Sequence, residues 1–249
     1  MAHPTQQRFT QTAVEAVLAR LPVKRVLEVG SADINGSTRS LFAAAQLTSY
    51  CGVDVAAGPG VDKVSSGHLL DFPSGHFDAV LSFECFEHNP FWKETFINMV
   101  RMCRPGGAVI VTCAAPGRME HGTTRCTPAH SFSVGFGWDY YRNIQAGELI
   151  ACLNAGETFA YRFSRVDRRS GDLHFFGLKA GEHADGNAAY FADWFRQHDS
   201  VLKLNETDRA TAALNLVFSY LEEGGLSQAP WLRFRAAQFL KGIKKGLTR

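Results

Sequence analysis

The sequence has no surplus of either charge, no Cys-x-x-Cys pair, no long apolar run and no repeat, and each absence removes a class of function. Twenty-six Lys and Arg against 24 Asp and Glu leave a formal net charge of +2 over 249 residues. That is too little for the basic face of a dedicated nucleic-acid binder. The six cysteines, at 51, 85, 103, 113, 126 and 152, stand apart, several of them inside apolar runs where Cys behaves as a small hydrophobe. This is the usage expected of reduced thiols in a cytoplasmic protein, not of a disulfide framework. No apolar run reaches the ~18 residues of a membrane span. The opening "MAHPTQQRFTQTAVEAVLARLP" lacks the apolar core of a secretory leader. With 45% hydrophobic and 20% charged residues, the chain can bury a sizeable core, as one large α/β domain or one domain with an appendage.

What is present is alternation. Residues 10–21 place Ala13, Val14, Val17, Leu18 and Leu21 at helical spacing, and Pro22 ends that stretch. Apolar β-type runs follow at Arg25–Val29, 49–55, Phe77–Phe83 and 108–113, with a shorter one around 61–64. Helix-type stretches fall between them at 37–45 and 91–102. "RPGG" at 104–107 reads as a stop before the last of these strands. Such alternation means parallel strands joined by crossovers, with helices on both faces. Beyond Pro116 the periodicity fades into a polar, glycine-rich stretch, 116–137, and a helix is expected over 140–154. "TFAYRFSRVDRRSGDLHFFGLKA" then offers two β-runs around the polar turn "DRRSGD", an antiparallel hairpin. The remainder from 187 reads as helical and ends in "WLRFRAAQFLKGIKKGLTR", with six Lys or Arg and no acid.

The stretch "RVLEVGSADINGSTRSLF" is strand, small-residue loop, then helix pattern, the way an α/β protein brings backbone up to a nucleotide-like ligand. Gly30 and Gly36 are not spaced as G-x-G-x-x-G, however, and Glu28 closes the strand. A carboxylate there suits a cationic ligand and disfavours a pyrophosphate. "LEVGSADING" resembles the first motif of the class I S-adenosylmethionine-dependent methyltransferases, of the type 11-like branch. "YCGVDVA", "HLLDFPSGHFDAVLSFECFEH" and "MCRPGGAVIVTCAAPG" resemble further motifs in that family's order, so the resemblance spans residues 21–180.

The resemblance implies S-adenosyl-L-methionine as cofactor. It also implies an α/β fold: a Rossmann-like seven-stranded, mostly parallel sheet with a terminal antiparallel hairpin strand and helices on both faces. A methyltransferase domain is expected over 1–182 and a helical C-terminal extension over 183–249. By the same resemblance Glu28, Gly30, Ser31, Ala32 and Gly36 receive the amino-acid end of the cofactor. Asp54, with Val55 beside it, holds the ribose hydroxyls, and Leu70, Asp71 and Phe72 flank the adenine. Glu84 contacts the cofactor at the end of the fourth strand. One departure stands out: Ala32 and Ile34 occupy the places of the second and third glycines of E-x-G-x-G-x-G, and Gly36 arrives two residues late. A longer loop is implied.

On the acceptor side, "SFECFEHNP" places His88 at the mouth of the fourth strand as a candidate general base, with helix capping or packing as the alternative. The 116–137 stretch carries Arg118, His121, Arg125 and His130, suited to an anionic or polyhydroxylated acceptor or to a solvated loop. His121 is the second candidate base. No paired Cys or His spacing accompanies these residues, so no metal is expected. Tyr140 and Tyr141 either dock a helix or face the acceptor.

The expected activity is methyl transfer to a small-molecule acceptor through a hydroxyl oxygen, such as that of a sugar or glycan precursor, with no nucleic-acid partner. Leu232, Phe234, Phe239, Leu240, Ile243 and Leu247 amid cations suggest contact with a membrane surface or a lipid-linked substrate. A catalytically silent cofactor-binding scaffold is the alternative. A dinucleotide dehydrogenase is disfavoured by Glu28 and by the terminal hairpin.

Overall fold

The computed structural model describes residues 4–34, 36–182, 184–203 and 209–247. Helix α1 (Pro4–Arg20) leads into β1 (Arg25–Val29), β2 (Ser49–Asp54), β3 (Lys63–Val64) and β4 (Phe77–Phe83), followed by α2 (Trp92–Met102) and β5 (Cys103–Ala114). After a long loop come the short helices α3 (Ala146–Ala151) and α4 (Ala155–Thr158), then the strands β6 (Phe159–Asp167) and β7 (Asp172–Lys179). Helices α5 (Ala184–Gln197), α6 (Asp199–Lys203), α7 (Arg209–Glu223) and α8 (Ala229–Leu247) complete the chain. The strands form one seven-stranded sheet in the order β3-β2-β1-β4-β5-β7-β6. β1 to β5 pair in parallel, and β7 runs antiparallel to both β5 and β6. This is the Rossmann-like methyltransferase architecture that the sequence led us to expect, hairpin included.

The central strands β1, β4, β5 and β7 are largely apolar because they are buried on both faces, whereas the edge strands β3 and β6 are partly exposed. Alternate residues go to opposite layers: Leu27, Val29, Val80, Val109, Val111 and Phe175 pack with α2 and α3. Val26, Ala79, Leu81, Ile110 and Phe176 pack with α1 and α5. Helix α5 therefore belongs to the core through Phe191 and Phe195, and Trp194 Nε1 donates to the Thr12 carbonyl of α1 at 3.1 Å. Helices α7 and α8 instead brace the loop after β5. Gly117 N–H donates to Glu222 Oε2 at 3.0 Å, and Glu120 N–H to the Pro230 carbonyl at 2.9 Å.

Three local expectations change. The helix expected over 37–45 is a single 3-10 turn, Thr38–Phe42, in which only Phe42 is buried. One buried side chain offers too little packing to extend a helix. The helix expected from Tyr140 begins at Ala146, because Gln145 and Glu148 form a capping box that sets its start. The "RPGG" stretch lies inside β5, where Gly107 stands so near β4 that a Cβ would be 2.7 Å from the Asp78 carbonyl oxygen. That glycine serves close strand approach, not a break.

All six cysteines are free. No helix among the described residues is long and apolar enough to cross a membrane. On α8, Phe239 and Leu240 are exposed, while the side chains of Ile243 and Leu247 lie outside the described residues.

Candidate functional site

From β1 the chain builds outward through β2 and β3, then returns to place β4 on the other side of β1. Such a switch point leaves a crevice at the carboxyl ends of the strands. A cavity of about 330 Å³ opens there, lined by the loops after β1, β2 and β4, within the size range of small-molecule sites. Gly30, at φ 81°, ends β1, and a Cβ on it would lie 2.5 Å from Cys85 Cβ. Only glycine lets the loops after β1 and β4 meet so closely.

Asp54, at the end of β2, accepts from Ala32 N–H at 3.0 Å and from Val55 N–H at 2.7 Å, tying the first two loops together. Glu28 is buried, with Oε1 accepting from the Thr38 hydroxyl at 2.7 Å and Oε2 from the Tyr50 hydroxyl at 2.5 Å. Burial raises the pKa of both carboxyls. Their partners at these bonds are neutral hydroxyls and amides, so a cationic or hydroxyl-bearing ligand would relieve the desolvation. The buried Ser31 Oγ and Gln6 Oε1, both on cavity-lining residues, have no hydrogen-bond partner among the described residues. Two orphaned polar atoms in a cavity wall fit a polar ligand.

The sequence-derived residues divide cleanly. Glu28, Gly30, Ser31, Ala32, Gly36, Asp54, Val55, Glu84 and His88 line the cavity. Leu70, Asp71 and Phe72 do not. Leu70 is buried in the core, Asp71 is an exposed carboxylate 3.5 Å from Lys63 Nζ, and Phe72 packs edge-on against Phe77. Nearby in the chain, Ser65, Ser66 and Gly67 line the cavity. Sequence reasoning also missed α1, whose Gln6, Gln7, Thr10 and Gln11 reach the cavity. Their signal was there: two polar pairs at i,i+4 spacing on one helix stripe.

On the acceptor side, Glu84 sits in the left-handed region at φ 51°, a conformation costing about 1–3 kcal/mol. It is held by the Thr112 hydroxyl, donating at 3.1 Å, and by Arg118 Nη2 at 3.4 Å. Arg118 also pairs with Asp172, which accepts from the Thr5 hydroxyl at 2.7 Å. Arg118 is thus a buried structural cation joining the loop after β5 to β7, whereas Arg125 points outward and pairs with Glu120 at 2.7 Å. His130, Ser131, Ser133 and Trp138 line the cavity, and Phe132 reaches across to pack against Gly58 beyond β2. Tyr141 donates to the Met119 carbonyl at 3.1 Å.

Behind this wall the fold gathers Glu87, His88 and His121, all buried, with one ligand-type atom of each within 4.8 Å of the others. Neither Glu87 oxygen, nor His88 Nδ1, nor His121 Nε2 has a hydrogen-bond partner among the described residues. His121 Nδ1 donates to the Met119 carbonyl at 3.1 Å. Burial holds His88 down at about 3 and His121 well below its ordinary value, so both imidazoles are neutral at pH 7. Burial likewise raises the Glu87 carboxyl, reinforced by Glu84. Leaving a buried polar group unpaired costs about 1–3 kcal/mol. The cluster was invisible in the sequence, where Glu87 and His88 are separated from His121 by α2 and β5. His121 does not itself line the cavity.

A family model described as a methyltransferase domain matches residues 1–144. No curated protein matches the chain. Among solved structures, the chain is similar to the 1,6-didemethyltoxoflavin N1-methyltransferase of Burkholderia thailandensis, solved with 1,6-didemethyltoxoflavin and S-adenosylhomocysteine. Identity there is 18%, over 70% of this chain and 79% of that one, with a TM-score of 0.48. It is similar to the N-methyltransferase NodS of Bradyrhizobium japonicum, in complex with S-adenosylhomocysteine, at 14% identity over 72% and 89%, TM-score 0.48. The CMeT domain of the citrinin polyketide synthase aligns at 17% identity over 71% and 54%, with a TM-score of 0.50. The structural likenesses speak to fold alone, but the family match covers more than half of the chain: this protein belongs to the methyltransferase-domain family, with the architecture of the class I S-adenosylmethionine-dependent methyltransferases.

Proposed function

We propose that the protein transfers a methyl group from S-adenosylmethionine to a hydroxyl oxygen of a small polar molecule. The observation that carries this reading is one cavity with a buried carboxylate, Glu28, a half-buried one, Asp54, and a neutral imidazole, His88, in its wall. When bound, S-adenosylmethionine supplies a sulfonium methyl that is already a good electrophile. Asp54, fixed by two backbone N–H groups, takes the ribose hydroxyls. Glu28 and the orphaned Gln6 Oε1 receive the ammonium. Ser65, Ser66 and Gly67 take the adenine-side wall in place of Asp71.

His88 and His130 offer the acceptor hydroxyl polar contacts, and the segment of Phe132 shields it from water. Alignment of the two reactants supplies much of the acceleration, since bringing them together in attack geometry can account for about 7–11 kcal/mol of barrier. The cofactor-site residues fall within 1–182, and α7 and α8 brace the acceptor-side loop. The test is a transfer screen with methyl-labelled cofactor against pooled polyhydroxylated and amine-bearing small molecules. Label on an oxygen supports the reading; label confined to nitrogen or carbon overturns it.

A further inference from the structure

We propose that Glu87, His88 and His121 form a binding site for one divalent first-row transition-metal ion at the acceptor end of the cavity. Two imidazoles and a carboxylate are a donor set that suits Zn²⁺, Co²⁺ or Fe²⁺, whereas Mg²⁺ prefers all-oxygen surroundings and retains water. The atoms that would ligate are the ones left without partners: both Glu87 oxygens, His88 Nδ1 and His121 Nε2. The opposite ring nitrogen of His121 is fixed by the Met119 carbonyl, and the His88 ring packs against the rings of His121 and Tyr141 at centroid distances of 4.9 and 5.5 Å. His121 thus has one nitrogen anchored to backbone and the other free, which is how ligating histidines are oriented.

The surroundings are shaped around the ring. Gly122, at φ 63°, passes so close to His88 that a Cβ would stand 2.7 Å from Cε1 and 3.2 Å from Nδ1. Donor atoms about 2.1 Å from an ion stand about 3.4 Å apart in a tetrahedron. The present spread of up to 4.8 Å closes to that by side-chain rotations of about an ångström. Three protein ligands leave a coordination position open. Because His88 lines the cavity, an acceptor oxygen is the fitting fourth ligand. That last role rests on the proposed methyl transfer; the binding of the ion does not.

The experiment titrates chelator-stripped, full-length protein with Co²⁺, Zn²⁺ and Mg²⁺, following visible absorption and calorimetric heat. The same titrations are run on Glu87→Gln and His121→Ala after circular dichroism has verified their folds. Expected are one equivalent of Co²⁺ or Zn²⁺, visible Co²⁺ bands without thiolate charge transfer, and affinity losses in both variants. Those losses should exceed the 10–100-fold that removal of an outer-shell partner costs. In the wild-type Co²⁺ complex, proton NMR should show the paramagnetically shifted ring signals of two imidazoles, which keeps the test independent of whether the variants fold.

No Co²⁺ or Zn²⁺ binding by the folded wild type would overturn the proposal, as would unchanged affinity in folded variants, thiolate bands, absent imidazole shifts, or binding of Mg²⁺ alone. S-adenosylhomocysteine titrated into the same stripped sample separates the two readings. Cofactor binding without metal binding sinks this proposal alone; metal binding without cofactor binding supports this site and sinks the functional reading alone.

Discussion

Replacing Gly30 with alanine should damage stability and ligand binding together. At φ 81° a non-glycine residue costs about 1–2 kcal/mol. The added Cβ would meet Cys85 Cβ at 2.5 Å and Sγ at 2.6 Å, separations that real atoms do not hold. Overpacking of this kind adds about 1–3 kcal/mol, so Gly30→Ala should lose about 2–5 kcal/mol in total. With a urea m-value of about 2–3 kcal/mol/M, the unfolding midpoint should fall by about 1–2 M. The double variant with Cys85→Gly relieves the clash but not the backbone strain, so a double-mutant cycle should return a coupling of about 1–3 kcal/mol. S-adenosylhomocysteine affinity should fall as well, because Gly30 and Cys85 both line the cavity. A Gly30→Ala protein with a wild-type midpoint, or a coupling energy of zero, would refute the close packing of these two strand ends.

Three further outcomes are expected. Asp78 accepts from Lys24 N–H at 2.8 Å, Arg25 N–H at 2.7 Å and Arg104 Nε at 2.6 Å; burial opposes its charge, but these donors outweigh it and hold the carboxyl below its ordinary value. A depressed folded pKa adds stability above the unfolded value of about 3.9, and that stability is lost as pH falls through the folded value. Asp78→Asn should therefore trail the wild type by on the order of 2–3 kcal/mol at pH 7, with the gap closing below about pH 4; a gap independent of pH contradicts this. Arg118→Met withdraws the cation from between Asp172 and Glu84 and should cost about 3–5 kcal/mol in urea unfolding, whereas a neutral effect would show the network to be dispensable. His88→Ala should weaken acceptor binding about 5- to 10-fold, read as a raised acceptor KM, while leaving S-adenosylhomocysteine affinity nearly intact, and an unchanged KM would remove His88 from the acceptor site.

The parts of the fold legible in the sequence were those where local pattern and burial agree. β1 and β4 fall at their expected bounds because each is an apolar run buried on both faces. The hairpin of β6 and β7 was legible from its polar turn. Where a residue's local signal and its tertiary role part company, reading along the chain fails. Gly107 looks like a breaker, yet it permits β5 to approach β4. Ser65, Ser66 and Gly67 carry no conspicuous signal in the sequence, yet they line the cavity, while the more conspicuous Asp71 lies beside Lys63. The strand-end carboxylates Glu28 and Asp54 were legible because strand direction alone carries them to the crevice. The cluster of Glu87, His88 and His121 was not, because only the tertiary path of the loop after β5 brings His121 back to the end of β4.

The claim that the cavity at the ends of β1, β2 and β4 is a cofactor site meets its most direct test in one calorimetric comparison. S-adenosylhomocysteine and NAD⁺ are each titrated into the wild type and into Asp54→Ala, with the fold of the variant verified. The wild type should take up one equivalent of S-adenosylhomocysteine and give no binding heat with NAD⁺. Loss of the two-point, charge-assisted contact should cost on the order of 2–3 kcal/mol, weakening the variant roughly 30- to 150-fold. A folded wild type that binds NAD⁺ instead, or a folded Asp54→Ala with an unchanged dissociation constant, would contradict the assignment.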